Sequence, residues 1–233
     1  MKIKIQRDTL VEYEINLKNP TLLEALNEIK TTQDSSLAYS SGCRSSVCGS
    51  CAMRANSKEV LACSYKVQDG DVIEPLRNME VIRDLVVNMD NALSFNKKSK
   101  AWLEPLTFSK ELTQEDEKRN EVQSDCILCA SCYSSCPVYA VNEEFKGPFS
   151  LTRVFKYVSD KREENAKDKI DVIQSNGIWD CTLCGECTIV CPQGISSKAD
   201  IEKLRMKSIQ FGYSDPNFSN AGFGGLDFGA PQF

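Results

Sequence analysis

The chain has 233 residues, of which 12 are cysteine and none is histidine, and its net charge is −5. The length allows one large or two ordinary domains, and neither half of the chain is basic, which argues against a nucleic-acid partner. Without histidine, the chain has no imidazole for proton transfer, no Ser-His or Cys-His nucleophile and no mixed Cys/His zinc site.

The first segment predicts a strand pair followed by a helix. Residues 3–7 and 11–17 alternate apolar and polar side chains with a period of two, which indicates two strands joined by a turn at Asp8–Thr9. Thr21, with Glu24 three residues later, forms a capping-box pattern in front of a helical apolar face.

The first cysteine group follows this predicted helix, with the spacing C-x4-C-x2-C and, after eleven intervening residues, a fourth cysteine. Its members are Cys43, Cys48, Cys51 and Cys63. This is the plant-type [2Fe–2S] spacing. Further short strands are predicted near 51–55, 59–63 and 71–74, so residues 1–95 form a predicted α+β unit that resembles the β-grasp fold of plant-type ferredoxins.

From about residue 96 the strand pattern disappears, and helical spacing appears around residues 151–158. We predict an all-α ferredoxin-like domain over residues 96–210. It carries two repeats of C-x2-C-x2-C-x3-C-P, the run found in bacterial ferredoxins. Their cysteines are Cys126, Cys129, Cys132 and Cys136, then Cys181, Cys184, Cys187 and Cys191.

The last segment, residues 211–233, is rich in glycine and phenylalanine. Such a composition fits a flexible tail. The alternative is a docking strip whose aromatic rings insert into a partner surface.

Three chemistries could explain clustered cysteines. A disulfide framework suits short secreted chains, whereas this chain is longer and begins with a charged segment that lacks the apolar stretch of an export signal. All-thiolate zinc sites use two paired C-x2-C hooks, which differ from runs of three such thiols followed by x3-Cys-Pro. Iron–sulfur clusters fit all three groups and leave no cysteine unused.

The two bacterial-type runs predict reciprocal ligand sets, because the fourth cysteine of such a run reaches the other cluster. The first cubane-type [4Fe–4S] cluster then takes Cys126, Cys129, Cys132 and Cys191. The second, terminal cluster takes Cys136, Cys181, Cys184 and Cys187.

The motifs GCRSSVCGSCAMRA, CILCASCYSSCPVYAVNEEFKGPFSL and CTLCGECTIVCP resemble those of the iron–sulfur subunit of succinate dehydrogenase and fumarate reductase. The resemblance covers roughly residues 1–205. It implies a chain without catalytic residues that relays electrons between an FAD-containing dicarboxylate subunit and a membrane quinone. It also implies a peripheral location on a membrane, reached through partner subunits. The cytoplasmic face is expected, and the alternative is the periplasmic face if the chain is exported together with its flavoprotein.

The chain departs from the usual family pattern at Cys184, where most members carry a non-ligating residue and a [3Fe–4S] terminal cluster. A cysteine here predicts a terminal [4Fe–4S] cluster, with [3Fe–4S] as the alternative. The extra thiolate adds negative charge, which we expect to lower the reduction potential of the cluster.

Further departures lie beside the same cluster. The serine, second tryptophan and histidine that contact quinone in the family are replaced by Val138, Val141 and Thr182. These changes resemble the nonclassical branch, the methylmenaquinol:fumarate reductases and thiol-driven fumarate reductases, in which a cysteine-rich subunit replaces the usual anchors. A conventional quinone-linked complex remains the alternative.

Other functions are open at this point. One is an electron carrier in a heterodisulfide-reductase-like or glycolate-oxidase-like flavin complex. A cluster-based redox sensor would need a nucleic-acid-binding surface or an effector domain, and the sequence shows neither. No stretch approaches 18 apolar residues, so no membrane span is expected.

Overall fold

The computed structural model describes residues 1–104 and 111–219. The first part is built on a five-stranded mixed sheet in the order β2-β1-β5-β3-β4. β1 pairs in parallel with β5, and the other neighbours are antiparallel. The strands are β1 (Lys2–Gln6), β2 (Leu10–Glu14), β3 (Ala52–Ala55), β4 (Lys58–Leu61) and β5 (Val72–Glu74).

The predicted strand pair and its turn are confirmed. Strand β2 is shorter than the predicted 11–17, and Arg7 N–H donates to Thr9 O at 3.0 Å across the turn. A short hairpin that the sequence did not predict follows the sheet, with β6 (Val81–Arg83) and β7 (Val86–Val87).

Helix α1 (Leu22–Thr32) covers the sheet. It begins with the predicted capping box, in which Glu24 N–H donates to Thr21 Oγ1 and Thr21 N–H donates to a Glu24 carboxylate oxygen. Its buried face packs with Ile3, Ile5 and Ile73 of the sheet to form the first hydrophobic core.

The remaining helices confirm the predicted helical, ferredoxin-like fold of the second domain, and most of them contribute buried residues to a second hydrophobic core. They are α2 (Asp90–Lys98), α3 (Gln114–Lys118), α4 (Glu121–Ser124), α5 (Ser131–Ser134), α6 (Pro137–Val141), α7 (Pro148–Val158), α8 (Ala166–Val172), α9 (Glu186–Ile189), α10 (Ser197–Gln210) and α11 (Pro216–Ser219). Helices α7 and α10 pack together at its centre, and α2 joins α7 through a hydrogen bond from Ser150 Oγ to Phe95 O at 3.0 Å.

The cysteine runs border the short helices. Cys129 precedes α5, Cys136 is the N-cap of α6, and Cys187 lies in α9. Across the described ranges, none of the helices has the length and apolarity needed to cross a membrane. Most of the predicted tail, residues 220–233, lies outside the described residues, so both interpretations of the tail stay predictions.

Candidate iron–sulfur centres

The first cysteine loop turns its backbone N–H groups toward sulfur. Ser45 and Val47 donate to Cys43 Sγ at 3.3 and 3.4 Å, and Ser46 N–H donates to Cys63 Sγ at 3.2 Å. Left-handed residues in the loop produce this inward orientation, which makes an anion-binding concavity; Ser46, for example, has φ +62°. The two donors lower the pKa of Cys43 to about 6.

The sheet supplies the other half of this site. The β3–β4 pairing places Leu61 opposite Ala52. Ala62 N–H then donates to Cys51 O at 3.0 Å, and the next residue, Cys63, lies beside Cys51. Cys51 is buried, and this burial raises its pKa to about 11, with smaller effects from the Cys63 and Cys48 thiols.

Four thiols from both bacterial-type runs line a second site, here called the middle cavity, which has about 380 Å³ of atom-free space. The four are Cys126, Cys129, Cys132 and Cys191. Left-handed Leu128 (φ +53°) and Ala130 (φ +61°) turn the chain around the first three thiols. Burial raises the pKa of each of those three thiols.

The remaining four thiols line a third site of about 310 Å³, here called the terminal cavity. They are Cys136, Cys181, Cys184 and Cys187. Leu183 and Gly185 have positive φ at the positions equivalent to Leu128 and Ala130, so the two runs repeat one backbone path. Burial raises the pKa of Cys187 to about 12, whereas Cys184 lies at the exposed side.

The structure therefore brings together the three groups of four that the spacing predicted, with the fourth cysteine of each bacterial-type run lining the other run's cavity. All twelve cysteines are free thiols in the structure. Among the described residues, which include all twelve cysteines, no three histidine, cysteine or carboxylate groups converge as ligands of a single metal ion would. Cavities lined by four thiols fit an iron–sulfur cluster, because thiolates are the ligands of such clusters.

Sequence reasoning missed two side chains at these cavities. Gln193 lines the middle cavity and donates from Nε2 to Ser46 O of the first loop at 3.1 Å. Lys198 lines the terminal cavity. Both lie within seven residues of Cys191, but the sequence carries no spacing signal for either position.

The replaced quinone-contacting positions lie around the terminal cavity. Val138 and Thr182 line it, and Val141 projects into solvent with 87% of its surface exposed. A polar groove beside this cavity is bordered by Trp179, Arg205 and Thr182. Arg205 is held there by hydrogen bonds to backbone carbonyls, including one from Nη2 to Cys181 O at 2.6 Å.

Comparison with known proteins agrees with these three centres. Residues 2–94 match the model of a 2Fe-2S iron-sulfur cluster binding domain, and residues 122–195 match that of a 4Fe-4S dicluster domain. The fumarate reductase iron-sulfur subunit of Mycobacterium tuberculosis is 36% identical over 210 residues, which cover 85% of each chain. The chain belongs to the family of succinate dehydrogenase and fumarate reductase iron–sulfur subunits. Its role in that family is electron transfer, as the resemblance implied.

Two other relatives are a succinate dehydrogenase subunit and a fumarate reductase subunit. The mitochondrial succinate dehydrogenase subunit of Dictyostelium discoideum is 34% identical over 213 residues, covering 83% of this chain and 74% of the relative. The 8-methylmenaquinol:fumarate reductase subunit of Wolinella succinogenes is 36% identical over 219 residues, covering 88% of this chain and 68% of the relative. The two relatives are about equally similar to this chain.

A solved structure confirms the fold. A chain of the Mycobacterium smegmatis Sdh1 complex in the apo form superposes with a TM-score of 0.80 at 23% identity. The match covers 91% of this chain and 97% of that chain. The N-terminal ferredoxin domain and the helical ferredoxin-like domain are thus the predicted pair.

Proposed function

We propose that this chain relays electrons between an FAD-containing dicarboxylate subunit and a membrane-linked subunit that exchanges electrons with a quinone or a thiol. The observation that carries the proposal is the arrangement of all twelve cysteines in three groups of four. Bound iron–sulfur clusters supply one-electron chemistry at potentials that the surrounding protein sets.

The ligands in this proposal are the three sets of thiols. The [2Fe–2S] cluster is held by Cys43, Cys48, Cys51 and Cys63, and the middle [4Fe–4S] cluster by Cys126, Cys129, Cys132 and Cys191. The terminal cluster is held by Cys136, Cys181, Cys184 and Cys187. Buried thiols with raised pKa values need positive charge to ionise, and iron supplies it.

The order of the relay follows from which sites touch. Gly49 of the first loop packs so closely on Cys129 that an added Cβ would lie 2.7 Å from Cys129 Cβ. Gln193 links the middle cavity to Ser46, whose N–H donates to Cys63 Sγ. The opposite rim of the first loop is open, with Val47 65% exposed, and we assign it to the flavoprotein side.

The terminal cavity faces the membrane-linked partner in this scheme. Val138 and Val141 cannot donate a hydrogen bond from their side chains, and Thr182 offers only a hydroxyl. A quinone pocket of the usual family type therefore lacks its polar contacts here, which favours the nonclassical branch with a cysteine-rich, thiol-linked partner. The chain would then be a peripheral subunit that reaches the membrane through its partners.

Cys184 decides the type of terminal cluster. It shares the terminal cavity with three other thiols, so it can bind a fourth iron. Substitution C184S should keep the complex assembled but convert a [4Fe–4S] terminal cluster to [3Fe–4S], because the serine hydroxyl is a far poorer iron ligand than a thiolate. The measurement is electron paramagnetic resonance of the anaerobically purified complex, oxidised and then reduced stepwise, with iron and zinc quantified on the same sample.

The control for C184S is T182S, which alters the same loop and leaves all four thiols in place. A strong oxidised [3Fe–4S] signal in the unsubstituted complex, with an iron content that C184S does not change, would show that Cys184 is not a ligand. Zinc in place of iron would overturn the electron-transfer assignment itself.

A further inference from the structure

The N-terminal turn of α10 lies between the two cubane-type cavities. Ser197, its first residue, lines the middle cavity, and the next residue, Lys198, lines the terminal cavity. Lys198 N–H donates to Thr188 Oγ1 at 3.3 Å, which ties this turn to the α9 segment between Cys187 and Cys191. Consecutive residues of one helix therefore face different electron-transfer sites.

The side chain of Lys198 runs along the wall of the terminal cavity. Its Cδ lies 3.8 Å from the place where a Cβ on Gly185 would stand, so the aliphatic stem covers the loop beside Cys184. Glu202, one turn along the helix, is 4.0 Å from the ammonium group, and both side chains are more than 40% exposed. The charge of Glu202 also reaches the terminal site, where it raises the pKa of Cys181, so this carboxylate offsets part of the positive charge of Lys198.

The middle cavity has no charged side chain in its described lining. Apart from its four cysteines, its described lining consists of neutral side chains, such as Phe149, Thr152 and Gln193. One arginine lies outside the lining of each cavity: the charge of Arg153 acts to lower the pKa of Cys126, as the charge of Arg205 does for Cys181. The two cavities have the same number of thiols and similar backbone paths, yet the terminal cavity alone has a lysine in its described lining. A cation near a site that gains an electron stabilises the reduced form by Coulomb attraction.

We propose that Lys198 sets the reduction potential of the terminal cluster, raising it relative to the middle cluster and offsetting the negative charge that the Cys184 thiolate adds. This inference rests on the proposed function, in which the four thiols of the terminal cavity hold a cluster. The consequence is a more favourable electron step from the middle to the terminal site.

The test is a potentiometric titration of the anaerobically purified complex, followed by electron paramagnetic resonance. In K198M the methionine keeps the apolar stem that packs on Gly185 and removes the charge. Reduction of the terminal cluster should become three- to tenfold less favourable, where tenfold corresponds to 59 mV for one electron. The potential of the middle cluster should move much less, and the K198M shift should shrink at high salt, because the ammonium group is partly exposed.

Two further variants separate charge from packing. K198R keeps the positive charge and should restore the potential of the unsubstituted protein. K203Q removes a cation from the same helix, where Lys203 lies over the ring of Phe155 at 5.1 Å and lines neither cavity, so it should leave both potentials unchanged. If the complex with K198M fails to assemble, K198Q is the second variant that removes the positive charge.

Two results would overturn the role of Lys198. One is a terminal potential in K198M and K198Q equal to that of the unsubstituted protein, and the other is an equal shift in K203Q. The same spectra report the cluster type independently. A [3Fe–4S] signal in the unsubstituted protein would refute the Cys184 assignment and still leave the effect of Lys198 measurable.

Discussion

Asp200 is a buried carboxylate on α10, behind the middle cavity. Its exposed fraction is 1%, its Oδ1 accepts a hydrogen bond from Gln123 Nε2 at 2.9 Å, and its Oδ2 has no hydrogen-bond partner in the described structure. No salt bridge to Asp200 occurs within the described part of the chain. Burial therefore raises the pKa of Asp200.

The raised pKa gives D200N a pH-dependent effect on stability. Folding favours the protonated form of the Asp200 carboxyl. Its contribution to the free energy of unfolding is therefore complete below the unfolded pKa of about 3.9 and is lost as pH rises through the folded pKa. Asparagine removes the buried charge, so D200N should be more stable than the unsubstituted protein at pH 8, by about 1 kcal/mol, and the difference should narrow toward pH 5.

Thermal unfolding of the cluster-loaded protein between pH 5 and pH 8 measures this difference. The control is E202Q, which removes an exposed carboxylate from the same helix and should show little pH-dependent gain. The expected result is a larger stability gain of D200N over the unsubstituted protein at pH 8 than at pH 5. A smaller gain at pH 8 would contradict the raised pKa of Asp200.

At the scale of single elements, α1 shows how a local signal decides a boundary. The Thr21 hydroxyl and the Glu24 carboxylate satisfy N–H groups that the first helical turn leaves free. T21A should therefore cost about 1 kcal/mol of unfolding free energy. T31A is the matched control, since Thr31 is an exposed residue in the same helix whose hydroxyl bonds only to carbonyls of the preceding turn. Thermal unfolding at pH 7 compares the stabilities of T21A and T31A. Equal losses of unfolding free energy in both variants would refute the capping role of Thr21.

The elements that the sequence predicted well are those fixed by short-range patterns. A few neighbouring residues are enough to recognise the apolar–polar alternation of β1 and β2. The same is true of the Thr21–Glu24 capping pair. The ferredoxin spacing similarly predicted which thiols share a cavity, because it reflects the geometry of a bound cluster. The β6–β7 hairpin lacks such a signal, since its strands are only three and two residues long and contain a register shift.

Lys198 and Gln193 could not be predicted in the same way. Their places depend on α10 folding back between the two cysteine runs, and Gln193 bonds to Ser46, 147 positions earlier in the chain. No spacing rule covers such a contact. The tertiary arrangement alone shows that these two side chains belong to the candidate centres.

At the scale of the whole molecule, the two domains meet at the first bacterial-type run. Asn78 Nδ2 lies within hydrogen-bond distance of the carbonyls of Tyr133, Ser134 and Cys136, and Ser134 Oγ donates to Glu59 Oε1 at 2.8 Å. Together with the packing of Gly49 on Cys129, these contacts fix the first loop against the middle cavity. We expect electron transfer between the domains to depend on this contact.

G49A tests the contact between the domains. Gly49 has φ +72°, and a Cβ there would lie 2.7 Å from Cys129 Cβ and 2.9 Å from Ile127 O. Alanine adds about 1 kcal/mol of left-handed backbone strain and also pushes the loop away from the run. G70A isolates the first effect, because Gly70 has φ +84° and open space around it. We expect G49A to lower the unfolding temperature more than G70A and to weaken the magnetic coupling between the reduced [2Fe–2S] and middle clusters, at unchanged iron content. Equal unfolding temperatures and unchanged coupling in both variants would show that the relay does not depend on this close approach.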